Sequence, residues 1–401
     1  MKSHVLILMH YMELGGAESA LLGLLQSIDP NRVDVDVFIY DHRGELMKYI
    51  PTDKVRLLPE VTAYKMIERP IGECLKAGQL GVALGRWLAA RTVDKSLVPE
   101  GKHDIRIFTR IADCVEWCMP KIQSNIEYDL AISFLMPHNY IIKKVLAKKK
   151  LGWIHTDYST VYVDVKRELP VWGQLDYIAS ISEEVGEKFV ETFPTLRDKI
   201  ISIENILSST FIRQRAEEEV MSLCDNPSTI KLLTIGRFSP PKKMEEIPMI
   251  CRKMVDQGVD VQWFIIGFGG ATIEQTVREN AEREGVREKV IILGKKENPY
   301  PYIKACDIYV QPSRYEGKSI TVREAQILCK PVIVTNYPTA SSQIRDGVDG
   351  VIVSMEVDAC AREMATFIRD KEKQMSIVEY LQTHDYGNES EIEKIYQLVE
   401  A

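Results

Sequence analysis

"ACDIYVQPSRYEGKSITVREAQILCKPVIVTN", residues 305–336, contains one complete strand–helix–strand unit. The apolar runs DIYVQP and PVIVT each have the length and composition of a strand that is buried on both faces. A polar loop between them leads into a helical stretch from Ser319 to Leu328. Strands of this kind, separated by a helical length, predict a parallel sheet with helices on both of its faces.

The same unit recurs along the 401 residues. The first half of the chain contains the apolar runs HVLILM, VDVDVFIY, YDLAISFL, LGWIH, YIASIS and IISIEN, and the second half contains IKLLTIG, VQWFIIG, KVIILG, DIYVQP, PVIVT and GVIV. A chain of this length is too long for one ordinary hydrophobic core. The two series therefore predict an α/β protein with two Rossmann-like domains.

A polar, charged stretch at residues 207–229 separates the two series. We place an N-terminal domain at 1–207 and a C-terminal domain at 208–379. The tail, 380–401, has the pattern of a helix entered through a Gly-Asn turn, and no strand is left for it to pair with in the second sheet. We expect this helix to cross back to the N-terminal domain.

Composition excludes several classes of protein. A net charge of -7 argues against a general nucleic-acid binder, which needs a basic surface. No apolar run approaches the roughly 20 residues that cross a bilayer, and the first residues lack a signal-peptide profile, so a cytoplasmic location is expected. The eight cysteines are scattered, and the pair Cys114 and Cys118 has no second pair to complete a zinc site. We expect buried free thiols there.

Ligand loops in parallel sheets lie beyond the carboxyl ends of the strands. Gly15-Gly16 follows the first strand, where backbone N–H groups and a helix N-terminus could approach an anion, although a plain strand-to-helix turn has the same sequence. Arg237 and Lys242 flank a Ser-Pro-Pro turn and could hold a diphosphate, or could belong to a solvated basic turn. His155 directly follows the LGWI strand.

Two other motifs are better explained by structure than by ligands. GFGG, at 267–270, does not have the GxGxxG spacing of a dinucleotide site, and lysines stand where a ribose-binding acid is expected. Asp34 and Asp36 resemble a metal-binding DxD, but strand alternation predicts that both carboxylates face solvent while the valines between them face inward.

The decisive stretch also holds two glutamates, Glu316 and Glu324. A helix from Ser319 would separate them by about 10 Å, which fits poorly with a glycosidase pair that grips one bond. One explanation is a capping box, in which Glu324 caps the backbone N–H of Thr321. The alternative is that both carboxylates point along one elongated ligand, with a diphosphate over the helix N-terminus between them.

The chain resembles the family 4 retaining glycosyltransferases, whose GT-B architecture has two Rossmann-like domains with parallel sheets facing a central cleft. The resemblance rests on a set of motifs in the expected order: GGAESALLGLL, WIH, GRFSPPKK, FIIGFGG, the opening stretch with its E-x7-E spacing, and QIRDGVDGVIV. The variant EGKSI resembles the branch that builds bacterial capsular and other surface polysaccharides.

The resemblance implies roles for ten residues. It implies that Glu324 accepts the ribose hydroxyls of a nucleotide diphosphate sugar and that Glu316 lies against the sugar. It also implies that Arg237 and Lys242 neutralise the diphosphate and that His155 contacts the sugar near the reacting carbon. The implied catalytic residues are His155, Arg237, Lys242 and Glu316, and the implied donor-binding residues are Gly16, Gly317, Lys318, Ser319, Ile320 and Glu324.

Three positions depart from the pattern of the family. Lys243 replaces a usual glycine, and Lys318 and Ser319 replace an aromatic residue and a second glycine. The identity of the donor sugar therefore cannot be transferred from the family.

The implied activity is transfer of a sugar, with retention of configuration, to a hydroxyl of a lipid-linked saccharide acceptor. The resemblance also implies that the N-terminal domain, 1–207, receives the acceptor and that the C-terminal domain, 208–379, binds the nucleotide-sugar donor. The resemblance implies no metal, no cofactor and no nucleic-acid partner. Two alternatives stay open at this point: another GT-B enzyme, such as a sugar phosphorylase or a nucleotide-sugar epimerase, and a non-catalytic protein that binds nucleotide sugars.

Contact with the inner face of the membrane is a further expectation. Residues 140–153 place five lysines on a predicted helix, namely Lys143, Lys144, Lys148, Lys149 and Lys150. Residues 73–92 combine leucines and Trp87 with basic residues, as an interfacial helix does. The alternative is a solvated helix end beside a helix packed on the core.

Overall fold

The computed structural model describes residues 2–99, 102–219, 223, 226 and 228–400, and the chain divides into two compact units. Unit 1 extends to Ile206 and also includes the residues from Glu389 onward, whereas unit 2 is Leu207–Asn388. Part of the predicted linker at 207–229 lies outside the described residues.

Unit 1 alternates strands with helices along the chain. Its strands are β1 (Ser3–Met9), β2 (Val33–Ile39), β3 (Arg56–Leu57), β4 (His103–Asp104), β5 (Tyr128–Ser133), β6 (Ala147–Ile154), β7 (Val161–Tyr162), β8 (Tyr177–Ser180) and β9 (Ile200–Ser202). Its helices are α1 (Gly16–Gln26), α2 (Thr62–Lys65), α3 (Ile71–Lys76), α4 (Leu80–Thr92), α5 (Arg106–Val115), α6 (Asn139–Lys144), α7 (Val165–Gly173), α8 (Glu183–Thr192) and, at the C-terminal end of the chain, α17 (Ile392–Glu400).

Seven of these strands form one parallel sheet in the order β3-β2-β1-β5-β6-β8-β9, and β4 pairs with β7. Both faces of the sheet are covered. Leu6 and Leu8 of β1 pack into one hydrophobic core, while Val5, Ile7 and Met9 pack into another on the opposite face. This two-sided burial is what the uninterrupted apolar strands predict.

Unit 2 contains a second parallel sheet. Its strands are β10 (Ile230–Ile235), β11 (Val261–Ile266), β12 (Val290–Gly294), β13 (Ile308–Gln311), β14 (Val332–Thr335) and β15 (Val351–Val353), in the order β12-β11-β10-β13-β14-β15. Its helices are α9 (Ser209–Arg215), α10 (Ile247–Asp256), α11 (Ala271–Arg283), α12 (Tyr300–Ala305), α13 (Ile320–Ile327), α14 (Ala340–Gln343), α15 (Val357–Arg369) and α16 (Lys371–Thr383). The prediction of two Rossmann-like units with parallel sheets is confirmed.

The predicted helix 380–401 is two helices. Helix α16 ends at Thr383 within unit 2, and α17 begins only at Ile392, after Gly387 and Asn388. Helix α17 belongs to unit 1, where Ile392, Ile395 and Tyr396 pack in the same core as Val5 and Ile7. The Tyr396 hydroxyl accepts the backbone N–H of Asp29 at 2.8 Å.

The lysine-rich segment, residues 140–153, was predicted as one helix, and this prediction is wrong. Helix α6 ends at Lys144, and Lys148, Lys149 and Lys150 lie on strand β6. Lys148 pairs with Asp129 at 2.7 Å, and the ammonium groups of Lys149 and Lys150 donate to backbone carbonyls at 2.9 and 3.0 Å. The five lysines therefore do not form one basic helical face.

The DxD pair is only half as predicted. Asp34 is exposed, but Asp36 is buried, because its carboxylate accepts bonds from Arg56 Nε at 2.7 Å and from the Tyr128 hydroxyl at 2.7 Å. Cys114 and Cys118 carry free thiols, as predicted, but both are half-buried. No helix in the described part of the chain has the length and hydropathy needed to span a membrane.

Candidate functional site

The loop that joins β13 to α13 places Glu316 inside unit 2. Glu316 is only 9% exposed. Its Oε1 atom accepts bonds from Ser313 Oγ at 2.6 Å, from Gln311 Nε2 at 3.1 Å and from Lys242 Nζ at 2.6 Å. Gln311 is the last residue of β13, so the strand itself supplies one of the groups that hold the carboxylate.

Lys242 comes from the neighbouring strand. It ends a short 3-10 turn, Pro240–Lys242, that follows β10, and β10 lies next to β13 in the sheet. The turn is tied to the Glu316 loop a second time, since the backbone N–H of Arg314 donates to Pro241 O at 2.7 Å. The two carboxyl-end loops therefore form one unit, with a buried carboxylate paired to a lysine at its centre.

Lys243, which stands where the family usually has glycine, adopts a left-handed backbone with φ of 56°. Its side chain is buried and pairs with Glu246 at 2.9 Å and with the Met355 carbonyl. The residue thus retains a backbone conformation that favours glycine, and its ammonium group is engaged by the structure of unit 2 itself.

Helix α13 begins immediately after the loop, and its N-cap is Ser319. The Gln343 side chain brackets this cap, because Oε1 accepts the Ser319 N–H at 2.9 Å and Nε2 donates to Ser319 O at 2.7 Å. Thr339 Oγ1 donates to the Glu316 carbonyl at 2.7 Å. The helix N-terminus, which favours anions, is therefore fixed in place by the segment that leads into α14.

The capping-box explanation of Glu324 is wrong. The helix starts at Ile320, so Thr321 is inside it and is not the N-cap. The Glu324 side chain is 4% exposed and accepts the Tyr300 hydroxyl through Oε1 at 2.9 Å. Burial raises the pKa of Glu324 to about 7, although the Tyr300 hydrogen bond lowers it. Near neutral pH this carboxyl is thus poised between its two protonation states.

Arg237 lies at the carboxyl end of β10 and is exposed. Its guanidinium lies 5.9 Å from the centre of the Phe268 ring, and Lys295 Nζ lies 5.2 Å from the same ring. Phe268 belongs to the GFGG segment, whose Gly270 has φ of 55° and leaves no room for a Cβ against the Phe238 carbonyl. Packing thus accounts for Gly270. The spacing of the GFGG segment likewise favours a structural role and not a dinucleotide ligand.

Gly317 differs from Gly270. Within the described residues, no atom lies within 4 Å of the position that a Cβ at Gly317 would occupy. The packing of unit 2 therefore does not demand a glycine at this position, which stands beside the buried carboxylate at the start of α13. Lys318 next to it is exposed.

Gly16 and His155 belong to unit 1, whereas the other eight predicted site residues belong to unit 2. Gly16 is the first residue of α1, one residue earlier than the predicted start near Ala17. His155 directly follows β6, and its ring stacks on Trp153 with 5.8 Å between centroids. Burial lowers the pKa of His155 to about 3, so its imidazole is neutral at physiological pH.

Five residues that hold the site were not predicted from the sequence, namely Tyr300, Gln311, Ser313, Thr339 and Gln343. A signal existed for Gln311, because a glutamine at the end of an otherwise apolar strand needs a buried hydrogen-bond partner. Tyr300, Thr339 and Gln343 reach the site from elements distant in sequence, and their local sequence gave no such signal. In the part of the chain that the structure describes, no three His, Cys, Asp or Glu side chains are grouped to hold a metal ion.

Comparison with known proteins places this geometry in context. Residues 219–384 match the family model "Glycosyl transferases group 1". The chain is 27% identical over 143 residues to the alpha-D-kanosaminyltransferase of Streptomyces kanamyceticus. The aligned region is 35% of this chain and 36% of the relative. It is 24% identical over 188 residues to the Campylobacter jejuni N-acetylgalactosamine-N,N'-diacetylbacillosaminyl-diphospho-undecaprenol 4-alpha-N-acetylgalactosaminyltransferase. This aligned region is 47% of this chain and 48% of the relative. The chain thus spans less than half of the length of either relative.

A solved structure is similar over nearly its whole length. The Anabaena protein HepE, in complex with UDP and glucose, superposes with a TM-score of 0.65 at 15% identity and covers 99% of both chains. This likeness confirms the GT-B class of fold. The match to the family model "Glycosyl transferases group 1" covers the segment that carries the Glu316 loop and α13, which is similar to that family over these residues.

Proposed function

We propose that the protein is a retaining glycosyltransferase that moves a sugar from a nucleotide diphosphate sugar to a hydroxyl of a saccharide acceptor in surface polysaccharide synthesis. One observation carries this proposal: two buried carboxylates, Glu316 in the loop after β13 and Glu324 within α13, stand on either side of the N-terminus of α13, beyond the carboxyl end of a parallel strand. Parallel sheets bind their ligands at this edge. The UDP complex of the similar HepE structure supports a nucleotide donor.

The residues of unit 2 suit a diphosphate leaving group. When the bond between the anomeric carbon and the phosphate oxygen breaks, its electron pair stays on the diphosphate. Arg237, Lys242 and the N–H groups at the start of α13 would stabilise this charge, and electrostatic stabilisation of this kind usually contributes most to the rate of an enzymatic reaction. The acceptor hydroxyl oxygen forms the new bond to the anomeric carbon on the same face, and its proton passes to the departing phosphate. These cations supply the charge that a metal would otherwise supply, so we propose metal-independent transfer without a cofactor.

Lys242 forms an ion pair with Glu316 and would also bind the diphosphate of the donor. Without donor, the 2.6 Å contact holds the ammonium group against Oε1 of the buried carboxylate. The same ammonium group would then meet the diphosphate from a fixed position, so little side-chain entropy would be lost on binding. Gly317, which packing leaves open, gives the sugar room to lie against Glu316. Glu324, farther along the helix, would accept the ribose hydroxyls.

Turnover of a panel of UDP-, GDP- and dTDP-sugars, measured as release of the nucleotide, tests this proposal. We expect release from at least one donor without added metal and in the presence of EDTA. Lys242→Ala and Arg237→Ala should each lower kcat by at least about tenfold and change KM less, because charge grows on the diphosphate only in the transition state. Arg278→Ala, which removes an exposed arginine paired with Glu274 on α11, is the matched control.

An unchanged kcat with a raised KM in both site variants would refute the leaving-group role. Failure of every donor to react, with no shift in melting temperature on adding UDP or GDP, would refute the donor site itself.

We further propose a lipid-linked acceptor and contact with the membrane. The name of the Campylobacter jejuni relative includes a saccharide joined to diphospho-undecaprenol, and undecaprenol is a lipid. In unit 1, an exposed apolar surface is formed by Leu80, Leu84, Trp87 and Leu88 of α4 and by Trp117, and we call this surface the α4 face. The Arg91 guanidinium lies 3.7 Å from the centre of the Trp87 ring on the same side of the helix. Aromatic and aliphatic side chains beside an arginine suit the interface of an anionic leaflet.

The α4 face replaces the five lysines as the membrane-contact surface. We expect binding to vesicles of phosphatidylglycerol and phosphatidylcholine to weaken at least about fivefold when Leu84, Trp87 and Leu88 are all changed to glutamine. Leu146→Gln, at another exposed leucine of unit 1, should have no effect. Equal binding by the triple variant and the wild type would refute this contact.

A further inference from the structure

The two buried carboxylates of unit 2 share one arrangement of hydrogen bonds. Glu316 accepts bonds from three side chains through Oε1, and Glu324 accepts the Tyr300 hydroxyl at 2.9 Å through its own Oε1. Within the described part of the chain, neither Oε2 atom accepts a hydrogen bond, and neither is among the fully buried polar atoms that lack a partner. Each Oε2 atom therefore reaches the surface of unit 2 and can accept a bond from a ligand.

Tyr300, the first residue of α12, is fixed at its backbone and along its ring. Its backbone N–H donates to Asn298 Oδ1 at 3.1 Å, and Asn298 Nδ2 donates in turn to the Arg215 carbonyl of α9 at 2.8 Å. The residue is 7% exposed and packs in the hydrophobic core of unit 2. The hydroxyl at the far end of the ring therefore reaches Glu324 from a fixed position.

The hydrogen bond from Tyr300 favours the ionised form of Glu324. Burial by itself favours the protonated carboxyl, which carries a hydrogen where a ribose hydroxyl needs an acceptor. The bond from Tyr300 lowers the pKa of Glu324 against this effect of burial. Burial and the charge of Glu324 raise the pKa of Tyr300 well above its usual value, so its hydroxyl keeps its proton and remains a donor.

The other charged or titratable side chains on the elements around Glu324 have partners of their own. They are Arg213 and Arg215 of α9, Arg323 of α13 and Tyr309 of β13. Arg213 and Arg323 donate to backbone carbonyls, Arg215 pairs with a glutamate at 3.2 Å, and Tyr309 donates to a glutamine side chain at 2.7 Å. Among the described residues no cation pairs with Glu324, so Tyr300 is the group that stabilises its charge.

From this geometry we infer that Tyr300 is a positioning residue of the donor site: its hydroxyl holds Oε1 of Glu324, so that Oε2 of the ionised carboxylate is left to accept a ribose hydroxyl. The inference rests on the proposed function in that the ligand is a nucleotide. It adds that a phenol on α12, outside the loop that carries the two glutamates, determines the pH range in which the nucleotide binds.

UDP affinity as a function of pH tests this inference. Calorimetry between pH 6 and pH 9 compares the full-length wild type with Tyr300→Phe and with Tyr302→Phe, a control at a half-buried tyrosine of the same helix. Tyr300→Phe keeps the ring and removes the donor, so the pKa of Glu324 should rise by about one pH unit. From a starting value of about 7, UDP binding should then weaken about fivefold at pH 7 and by less than about twofold at pH 9. Tyr302→Phe should match the wild type at every pH.

The dependence on pH separates positioning from a merely structural role. If Tyr300 only supported the packing of unit 2, Tyr300→Phe would weaken UDP binding by the same factor at every pH, and this result would overturn the inference. UDP binding by Tyr300→Phe that equals the wild type at pH 7 would also overturn it. In Glu324→Gln, adding Tyr300→Phe should leave the pH dependence of UDP binding unchanged, because the carboxyl through which the phenol acts is gone.

Carbon-13 NMR of the glutamate side chains, without nucleotide, separates this inference from the proposed function. One carboxyl resonance should titrate near pH 7 in the wild type, be absent from Glu324→Gln and titrate about one pH unit higher in Tyr300→Phe. The resonance of Glu168, whose pKa is also about 7, should remain in every variant. A Glu324 resonance that titrates at the same pH in Tyr300→Phe and the wild type would overturn the inference even where UDP binds. Expected titrations in a wild type that binds neither UDP nor GDP would instead refute the proposed donor site and support the pairing of Tyr300 with Glu324.

Discussion

At the scale of single residues, Glu324 is the position where sequence and structure differ most usefully. Its spacing from Thr321 fits a capping box, yet the helix starts earlier because Gln343, 24 residues away in sequence, fixes Ser319 as the cap. A local pattern cannot reveal such a distant clamp. The E-x7-E spacing singled out both glutamates as candidate ligand contacts, but it did not predict that both are buried.

The raised pKa of Glu324 makes a prediction about nucleotide binding. Ribose hydroxyls donate, so they favour the ionised carboxylate, whereas burial brings the pKa of the free protein to about 7. UDP affinity should therefore rise by up to about tenfold between pH 6 and pH 8, and binding near pH 7 should release protons. Calorimetry at three pH values in two buffers of different ionisation enthalpy measures both effects.

Glu324→Gln is the matched variant for this prediction. It should bind UDP at least about tenfold more weakly at pH 8, and it should lose the part of the pH dependence that Glu324 supplies. The phosphate of UDP titrates near pH 6 in both experiments and so cancels in the comparison. An identical pH dependence in the variant and the wild type would show that Glu324 does not contact the nucleotide.

At the scale of elements, residues 147–150 show why a helix was predicted where the first half of strand β6 lies, while the second half, LGWI, was predicted as a strand. Three consecutive lysines carry good helix propensity, and propensity is a weak signal. The segment is instead a central strand between β5 and β8, where Lys148 pairs with Asp129 of β5 and the Lys150 N–H donates to Asp176. Pairing with residues of neighbouring strands makes this segment a strand, and those partners cannot be recognised from the local sequence.

Helix α4 provides a prediction at the same scale. Gly85 faces the end of α5, and a Cβ there would lie 2.6 Å from Val115 Cγ1 and 2.7 Å from the Cys114 carbonyl oxygen. Because a backbone oxygen cannot easily move away, Gly85→Ala should lower the free energy of unfolding by about 1–3 kcal/mol. Urea unfolding followed by tryptophan fluorescence measures this change.

Gly72, on neighbouring helix α3, is the matched control. No described atom lies within 4 Å of its Cβ position. Gly72→Ala should therefore leave stability unchanged or raise it by up to about 1 kcal/mol, because alanine restricts the unfolded chain. If the two alanine variants unfolded at the same urea concentration, the close packing of α4 on α5 would be contradicted.

At the scale of the whole molecule, the apolar strands were enough to predict two parallel sheets, since only strands covered on both faces are so uniformly apolar. The order of strands within each sheet did not follow from the sequence. The return of α17 to unit 1 was expected from the absence of a remaining strand partner. Its contacts, such as the Arg32 guanidinium 4.0 Å from the centre of the Tyr396 ring, join residues more than 360 positions apart and could not be predicted.

The two units should respond to acid in opposite directions. In unit 1, burial lowers the pKa of His138 and of His155 to about 3 and raises that of Glu168 to about 7. Between pH 4.5 and 6 the unfolded histidines bind protons that the folded ones do not, so each histidine makes stability rise with pH. Glu168 acts in the opposite sense, because its raised pKa lets the folded state bind the extra proton. Burial also raises the pKa of Asp113, which therefore acts in the same sense as Glu168. Two imidazoles outweigh these carboxyls, and unit 1 should lose stability as the pH falls from 6 to 4.5.

In unit 2, the opposite sign follows from Glu324. Its folded pKa lies above the ordinary value of 4.5, so the folded state binds the extra proton and stability should increase as the pH falls through the same window. Carboxyls with a lowered pKa, such as Asp129 in unit 1 and Asp260 in unit 2, act mainly below pH 4.5. We expect the free energy of unfolding to change by about 1 kcal/mol per pH unit in each unit, with opposite signs.

Hydrogen exchange of peptides from β5 and from β13, corrected for intrinsic rates, measures the two stabilities at pH 4.5, 5.2 and 6. Glu324→Gln should flatten only the unit 2 slope, and Glu168→Gln should steepen only the unit 1 slope. Slopes of the same sign in both units of the wild type would contradict this assignment of protons.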